Sequence, residues 1–157
     1  MNLYDRFSRR PDWEIAIGRL MLASAHIEMN VLQAIANYGG VELAKKTYKK
    51  PHSARLTVLE GLAADRDDKT KHSVGGIVEM LRKFNQERNY IAHNPLMYGL
   101  DDKSPDDHEY GSIVSIKDPY QRIGLSEVIA LAERAYGLSA HFTFTWMMAM
   151  GVPKSST

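Results

Sequence analysis

The sequence predicts an all-α protein, an up-and-down bundle of four to five helices with a small β-hairpin inserted before the last helix. Three observations predict it. Apolar residues recur at three- and four-residue steps through several long stretches. The breaks between these stretches are short and carry Gly-Gly, proline or clustered Asp and Lys. Only the segment from Met97 to Gly124 loses the helical period, taking up short runs of β-branched residues around a proline.

Pro11 and Asp12 open the first helix, with Asp12 as its N-cap, and Trp13, Ile17, Leu20, Met21, Ser24, Ile27, Val31 and Ile35 form its inward stripe. Gly39-Gly40 stops it. A short helix follows from Val41 to about Lys49, and Pro51 with His52-Ser53 introduces a third from Ala54 to Ala64, with Leu56, Leu59 and Leu62 or Ala63 inward. Asp65 to Lys71 reads as a polar turn. The fourth helix spans Ser73 to His93 and ends at Pro95, because the residue before a proline is pushed out of the helical region.

Beyond it come an acidic loop (Asp101, Asp102, Asp106, Asp107), the run Ser112 to Ile116, the turn Asp118-Pro119 and the run Gln121 to Gly124. Two short strands fit these runs. The last helix starts near Ser126 and carries Leu131, Ala135, Leu138, Phe142 and Trp146 inward to about Met150, leaving residues 151–157 as a loose tail. With no internal repeat, residues 1–157 are expected to form a single domain, with 97–124 as its insertion.

A chain of 157 residues is long enough to bury a core without disulfide or metal staples. At 44% hydrophobic and 25% charged residues it has the balance of a globular protein. Having no cysteine excludes disulfides and thiolate chemistry. The start lacks the apolar stretch of a signal peptide, and no run of the apolar length a membrane span needs is evident, so a soluble cytoplasmic protein without membrane partners is expected.

The net charge of +1 argues against a global nucleic-acid-binding footprint, so any RNA contact must be local. Lys45, Lys46, Lys49, Lys50, His52 and Arg55 around Tyr48 are the candidate patch, since cations neutralise phosphates and an aromatic face stacks a base. A solvated helix face explains the same run and is the more usual origin of one. The same low basicity weighs against a DNA-reading helix-turn-helix around Pro51.

On a helical wheel of the fourth helix, Ile77, Leu81, Phe84, Arg88 and Ile91 fall in one stripe, so Arg88 interrupts an apolar face. A buried guanidinium without a partner is costly and should meet a carboxylate or an anion. In the first helix, Glu28 is the only charged member of the stripe Ile17, Met21, Ser24, Glu28, Val31 and Ile35, which predicts a Glu28–Arg88 pair. Asn89 and His93 are four residues apart, placing the amide where it can orient the imidazole.

An arginine, an amide and a histidine suit RNA phosphodiester cleavage, in which a base takes the 2′-hydroxyl proton and a cation stabilises charge on the phosphate. Packing alone is the competing explanation: Arg88 held by Glu28, and His93 capping carbonyls at the helix end.

Arg88-Asn89-Tyr90-Ile91-Ala92-His93 resembles the signature of the HEPN (higher eukaryotes and prokaryotes nucleotide-binding) family: an arginine, a polar residue directly after it, then a histidine after four to six intervening residues. Ala92-His93-Asn94 resembles the family's local context, and the late helix followed by one long helix is similar to its layout. The insertion at 97–124 has no counterpart in this resemblance.

The resemblance implies a metal-independent endoribonuclease of toxin or phage-defence type that needs no cofactor and leaves a 2′,3′-cyclic phosphate on single-stranded RNA. It implies His93 as general base or acid, Arg88 on the scissile phosphate and Asn89 orienting them. It also implies a homodimer with two motifs across one cleft, and allows a cognate antitoxin as partner. Because some members are non-catalytic, a binding or dimerisation module that docks a partner protein is the alternative.

The other histidines (His26, His52, His72, His108 and His141) form no zinc-holding spacing, and the carboxylates of Asp101 to Glu109 lack that of a calcium loop. Gly75-Gly76 lacks the pattern of a phosphate-cradling loop. Trp146-Met147-Met148-Ala149-Met150 suits either an adaptable contact surface or core packing.

Overall fold

The helical period is realised in full in the computed structural model, which describes residues 11–97 and 111–151. Among these the order is α1 (Pro11–Gly39), α2 (Val41–Tyr48), α3 (His52–Ala64), α4 (Asp68–His93), β1 (Leu96–Met97), β2 (Ser112–Val114), β3 (Arg122–Ile123) and α5 (Leu125–Met150). This is the expected all-α bundle with a small antiparallel element before the last helix. The acidic loop Asp101 to Glu109, with His108, lies outside the described residues, as do residues 1–10 and 152–157.

Three helix starts differ from expectation, and α3 is one of them, beginning at His52, two residues before Ala54. Asp12 sits inside the first turn of α1, where its charge meets the positive end of the helix dipole, and is not the cap. α4 begins at Asp68, five residues before Ser73, because Asp67 is an N-cap: its Oδ1 accepts the Thr70 backbone N–H at 3.0 Å and its Oδ2 the Thr70 hydroxyl at 2.9 Å. The polar turn thus shrinks to Asp65–Asp67.

Gly40 ends α1 by adopting φ 88°, a region that favours glycine, and Gly39 before it leaves room for the Leu43 and Leu62 side chains.

The chain runs up α1, down α2, up α3, down α4 and up α5. Glu28 reaches both Arg55 of α3 and Arg88 of α4, and Arg82 of α4 meets Glu60 of α3. The Thr70 hydroxyl oxygen also lies 3.0 Å from Ala149 O, placing the start of α4 beside the end of α5. The Tyr38 hydroxyl donates to Gly151 O, setting the ends of α1 and α5 side by side. Leu20, Val31, Ile35, Leu56, Leu59, Val74, Leu81, Ile113, Val128 and Ala135 form the centre of one continuous core. The predicted stripes supply most of it.

Among the described residues the region between α4 and α5 forms a sheet of three strands, β1-β2-β3, all antiparallel, so the hairpin gains a third strand directly after α4. Asn94 welds it to the helix end. Its Nδ2 donates to Tyr90 O at 2.6 Å and its Oδ1 accepts the Ile116 N–H at 2.9 Å, while the Tyr90 hydroxyl donates to Gln121 O at 2.7 Å. Gln121 also closes the β2–β3 turn, its carbonyl accepting the Ser115 N–H at 3.1 Å.

Contrary to the expectation that no segment has the apolar length of a membrane span, α1 is long and apolar enough to cross a bilayer by length and composition alone. Its outer face explains why. Besides its core stripe, α1 carries Ile15, Leu22 and Met29, 56 to 65% exposed at seven-residue steps.

Candidate active site

Arg88 leaves the apolar stripe of α4 toward α1, and the expected pair forms: its Nη2 donates to Glu28 Oε1 at 3.0 Å. Nη2 also lies 3.2 Å from Asn85 Oδ1, one turn earlier on α4. The side chains of Arg88 and Glu28 keep 20% and 33% exposure, so this is a half-buried pair at the rim of the junction of α1, α3 and α4.

A third partner was not expected there. Arg55 Nη1 donates to Glu28 Oε2 at 3.1 Å, its Nη2 to Tyr48 O at 2.8 Å and its Nε to Lys50 O at 3.1 Å. Each carboxylate oxygen of Glu28 therefore holds one arginine. Arg55 is 12% exposed and leaves the basic patch to which its sequence neighbours assign it.

His52 leaves the patch too. It is the first residue of α3 and 8% exposed, one turn before Arg55 on the same face. Burial holds its pKa down to about 4 from 6.5; the Glu28 carboxylate pulls the other way, and Arg55 and Arg88 add to the lowering. His52 is therefore neutral at pH 7.

Two buried polar atoms in this junction have no hydrogen-bond partner: His52 Nδ1 and Arg88 Nε. The sequence held a signal for these residues. Once the helix starts at His52, the positions His52, Arg55, Leu56, Leu59 and Ala63 make one stripe at three- and four-residue steps.

Lys45, Lys46, Tyr48, Lys49 and Lys50 remain exposed around the end of α2. Lys45 pairs with Glu42 at 2.8 Å, an exposed contact of little energetic weight. The patch and the Glu28 junction are adjacent, since the carbonyls of Tyr48 and Lys50 are the ones that anchor Arg55.

His93 is exposed in the last turn of α4, and Asn89 is half-buried. Among the described residues no hydrogen bond joins them. Arg88 and His93, five residues apart, project about 140° apart around the helix, so within one chain they face different surroundings. The structure brings Arg88 together with Glu28 and Arg55, and leaves His93 beside the Asn94-bound loop of the sheet. On another flank of α4, Glu87 pairs with Arg134 of α5.

Two further clefts lie elsewhere. One of about 380 Å³ between α1 and α5 is lined by Ile15, Arg19, Leu125, Ile129 and Tyr136, among others. A shallower one, beside α3 and the first half of α4, includes Glu60, His72, Gly75, Glu79 and Arg82. Neither includes Arg88 or His93. Among the described residues no three His, Asp or Glu side chains gather as metal ligands.

Compared with family models, curated proteins and solved structures, the chain matches none.

Proposed function

We propose that this chain is a HEPN-like endoribonuclease of toxin or phage-defence type. It acts on single-stranded RNA in the cytoplasm as a homodimer and needs no metal. The observation that carries the reading is the distribution of Arg88 and His93 on one helix end. The histidine is open to solvent, and the arginine is oriented by Glu28 while still reaching the surface.

In this reading His93 takes the proton from a 2′-hydroxyl or returns one to the leaving oxygen, Arg88 meets the charge growing on the phosphate, and Asn89 orients these two side chains. The displaced 5′-oxygen leaves a 2′,3′-cyclic phosphate on the upstream fragment.

Because the two side chains diverge, a second copy completes the site, its histidine facing the first copy's arginine. The exposed Ile15, Leu22 and Met29 of α1 and Phe144, Met147 and Met148 of α5 support such self-association, since large apolar side chains left open to solvent are available to an interface. The same surface suits a cognate antitoxin. The exposed lysines beside Tyr48 support RNA contact near the junction.

One observation favours a second reading, a non-catalytic HEPN-like module that docks a partner protein. Glu28 is held by two arginines, and such a clamp serves helix packing without chemistry. Incubating mixed single-stranded RNA with wild type and with His93→Ala, chelator present, separates them. Cleavage by wild type alone, leaving cyclic phosphate ends, supports the enzyme. No cleavage by either protein across varied RNAs supports the docking module.

A further inference from the structure

The two arginines on Glu28 are bound unequally. Arg55 has all three of its guanidinium nitrogens engaged, two on backbone carbonyls and one on the carboxylate. Its anchors are the end of α2 and the loop before α3, which do not depend on any ligand. Among the described residues Arg88 engages only Nη2, shared between Glu28 and Asn85, and its buried Nε–H meets no acceptor. A guanidinium matches an oxyanion best with two parallel donors, and here Arg88 contributes one nitrogen to a single carboxylate oxygen.

Charge points the same way. Two guanidiniums face one carboxylate with His52 neutral beside them, so the junction carries one surplus positive charge. Were Arg88 to depart, Glu28 would keep a partner and no buried carboxylate would be orphaned. Were Arg55 to depart, the whole charge of Glu28 would fall on Arg88.

We propose that Arg55 is a positioning residue: it keeps Glu28 neutralised, so that Arg88 is only loosely held and can transfer to a phosphate oxygen of a bound RNA strand. This rests on the ribonuclease reading for the identity of the ligand. The geometry assigns Arg55 and Glu28 as the fixed half of the junction and Arg88 as its exchangeable half. Arg55 touches no substrate and acts through Glu28. The basic patch is placed to hold the strand nearby, because Lys49 and Lys50 flank the carbonyls that anchor Arg55.

The test follows the arginine Nε–Hε NMR signals, assigned with Arg55→Lys and Arg88→Lys, while a short 2′-O-methyl RNA that resists cleavage is titrated into the wild type. Binding is read in parallel by fluorescence anisotropy at several salt concentrations. The Arg88 signal should move and the Arg55 signal should stay. Arg55→Met should weaken binding about tenfold, the scale of one charged hydrogen bond, and should lower the steepness of the salt dependence by about 0.7, the value for one phosphate contact on a single strand.

Adding Glu28→Gln to Arg55→Met should release Arg88 and restore most of the binding, which a merely structural role for Arg55 would not do. A double variant that binds no better than Arg55→Met overturns the proposal. So does an Arg88 signal that stays still while RNA binds. If the wild type binds no RNA, the ribonuclease reading falls, and inorganic phosphate then tests the exchange alone: movement of the Arg88 signal upholds it and stillness overturns it. Should Arg55→Met fail to fold, the wild-type titration decides by itself.

Discussion

Lowering the pH should destabilise this protein through His52 in a way that replacing His52 removes. The imidazole is buried at the start of α3, and its folded pKa is about 4 against 6.5 for the free group. The sign follows from which state binds the proton. Above pH 6.5 both states are neutral and the contribution is complete; below it the unfolded chain gains a proton that the folded one refuses until about pH 4. Stability is therefore lost as the pH falls through that window and levels off beneath it.

At about 1.36 kcal/mol per pH unit, the loss by roughly pH 4.5 reaches up to about 2.5 kcal/mol. Urea unfolding of a domain this size has a slope of about 1–3 kcal/mol per molar, so the midpoint should drop by on the order of 1 M from this group alone. His52→Leu removes the titrating group and keeps the acid response of every other side chain. The quantity to read is the gap between the two midpoints at pH 7 and at about pH 4.5. A gap that does not change with pH, or a His52 ring signal that titrates near 6.5, would refute the burial argument.

Two other side chains should matter for local order. Asp67→Ala removes the cap of α4 and should raise amide exchange at Lys69, Thr70 and Lys71 while leaving the second half of the helix protected. Because two hydrogen bonds from Thr70 hold the Asp67 carboxyl below its ordinary pKa, the cap's contribution is present above the unfolded value near 3.8 and fades as the pH falls through the folded one. Asn94→Ala breaks the bridge that Asn94 makes from Tyr90 O to the Ile116 N–H, leaving the Tyr90–Gln121 bond as a remaining tie, and should broaden the backbone NMR signals of Leu96, Met97 and Ser112 to Ile116. RNA cleavage by Asn94→Ala should fall with folding intact, since His93 loses the loop that fixes its helix end.

The helices were legible because burial is periodic and the period survives in the letters. Leu81, Phe84 and Ile91 fall where the wheel puts them, and the same wheel isolates Glu28 and Arg88 as charges on apolar faces. Asp67-Asp68-Lys69-Thr70 was illegible as a helix start because charged residues suit a turn and a first helical turn equally. Arg55 was illegible for a different reason. Its neighbours Lys45, Lys46, Lys49 and Lys50 are exposed, and composition reads a run of cations as one surface, whereas the helix starting at His52 rotates Arg55 inward. The third strand, β1, is two residues long and is paired by β2 from more than a dozen residues away, so local pattern carries nothing of it.

Arg88 and His93 illustrate how a short motif binds two environments to one helix. The arginine end is determined by tertiary packing: three helices meet there, and Glu28 selects its direction. The histidine end is determined by the chain's exit into the sheet, through Asn94. A spacing of five residues cannot put both side chains on one phosphate from a single helix, since they start about 140° apart. It can put them on opposite walls of a cleft between two copies, each wall offering one kind of group. In the ribonuclease reading, chemistry at this motif therefore depends on association, whereas packing by Arg88 and Glu28 does not. That asymmetry makes the concentration dependence of RNA cleavage informative beyond its presence: a site shared between copies loses specific activity on dilution, and a site within one chain keeps it.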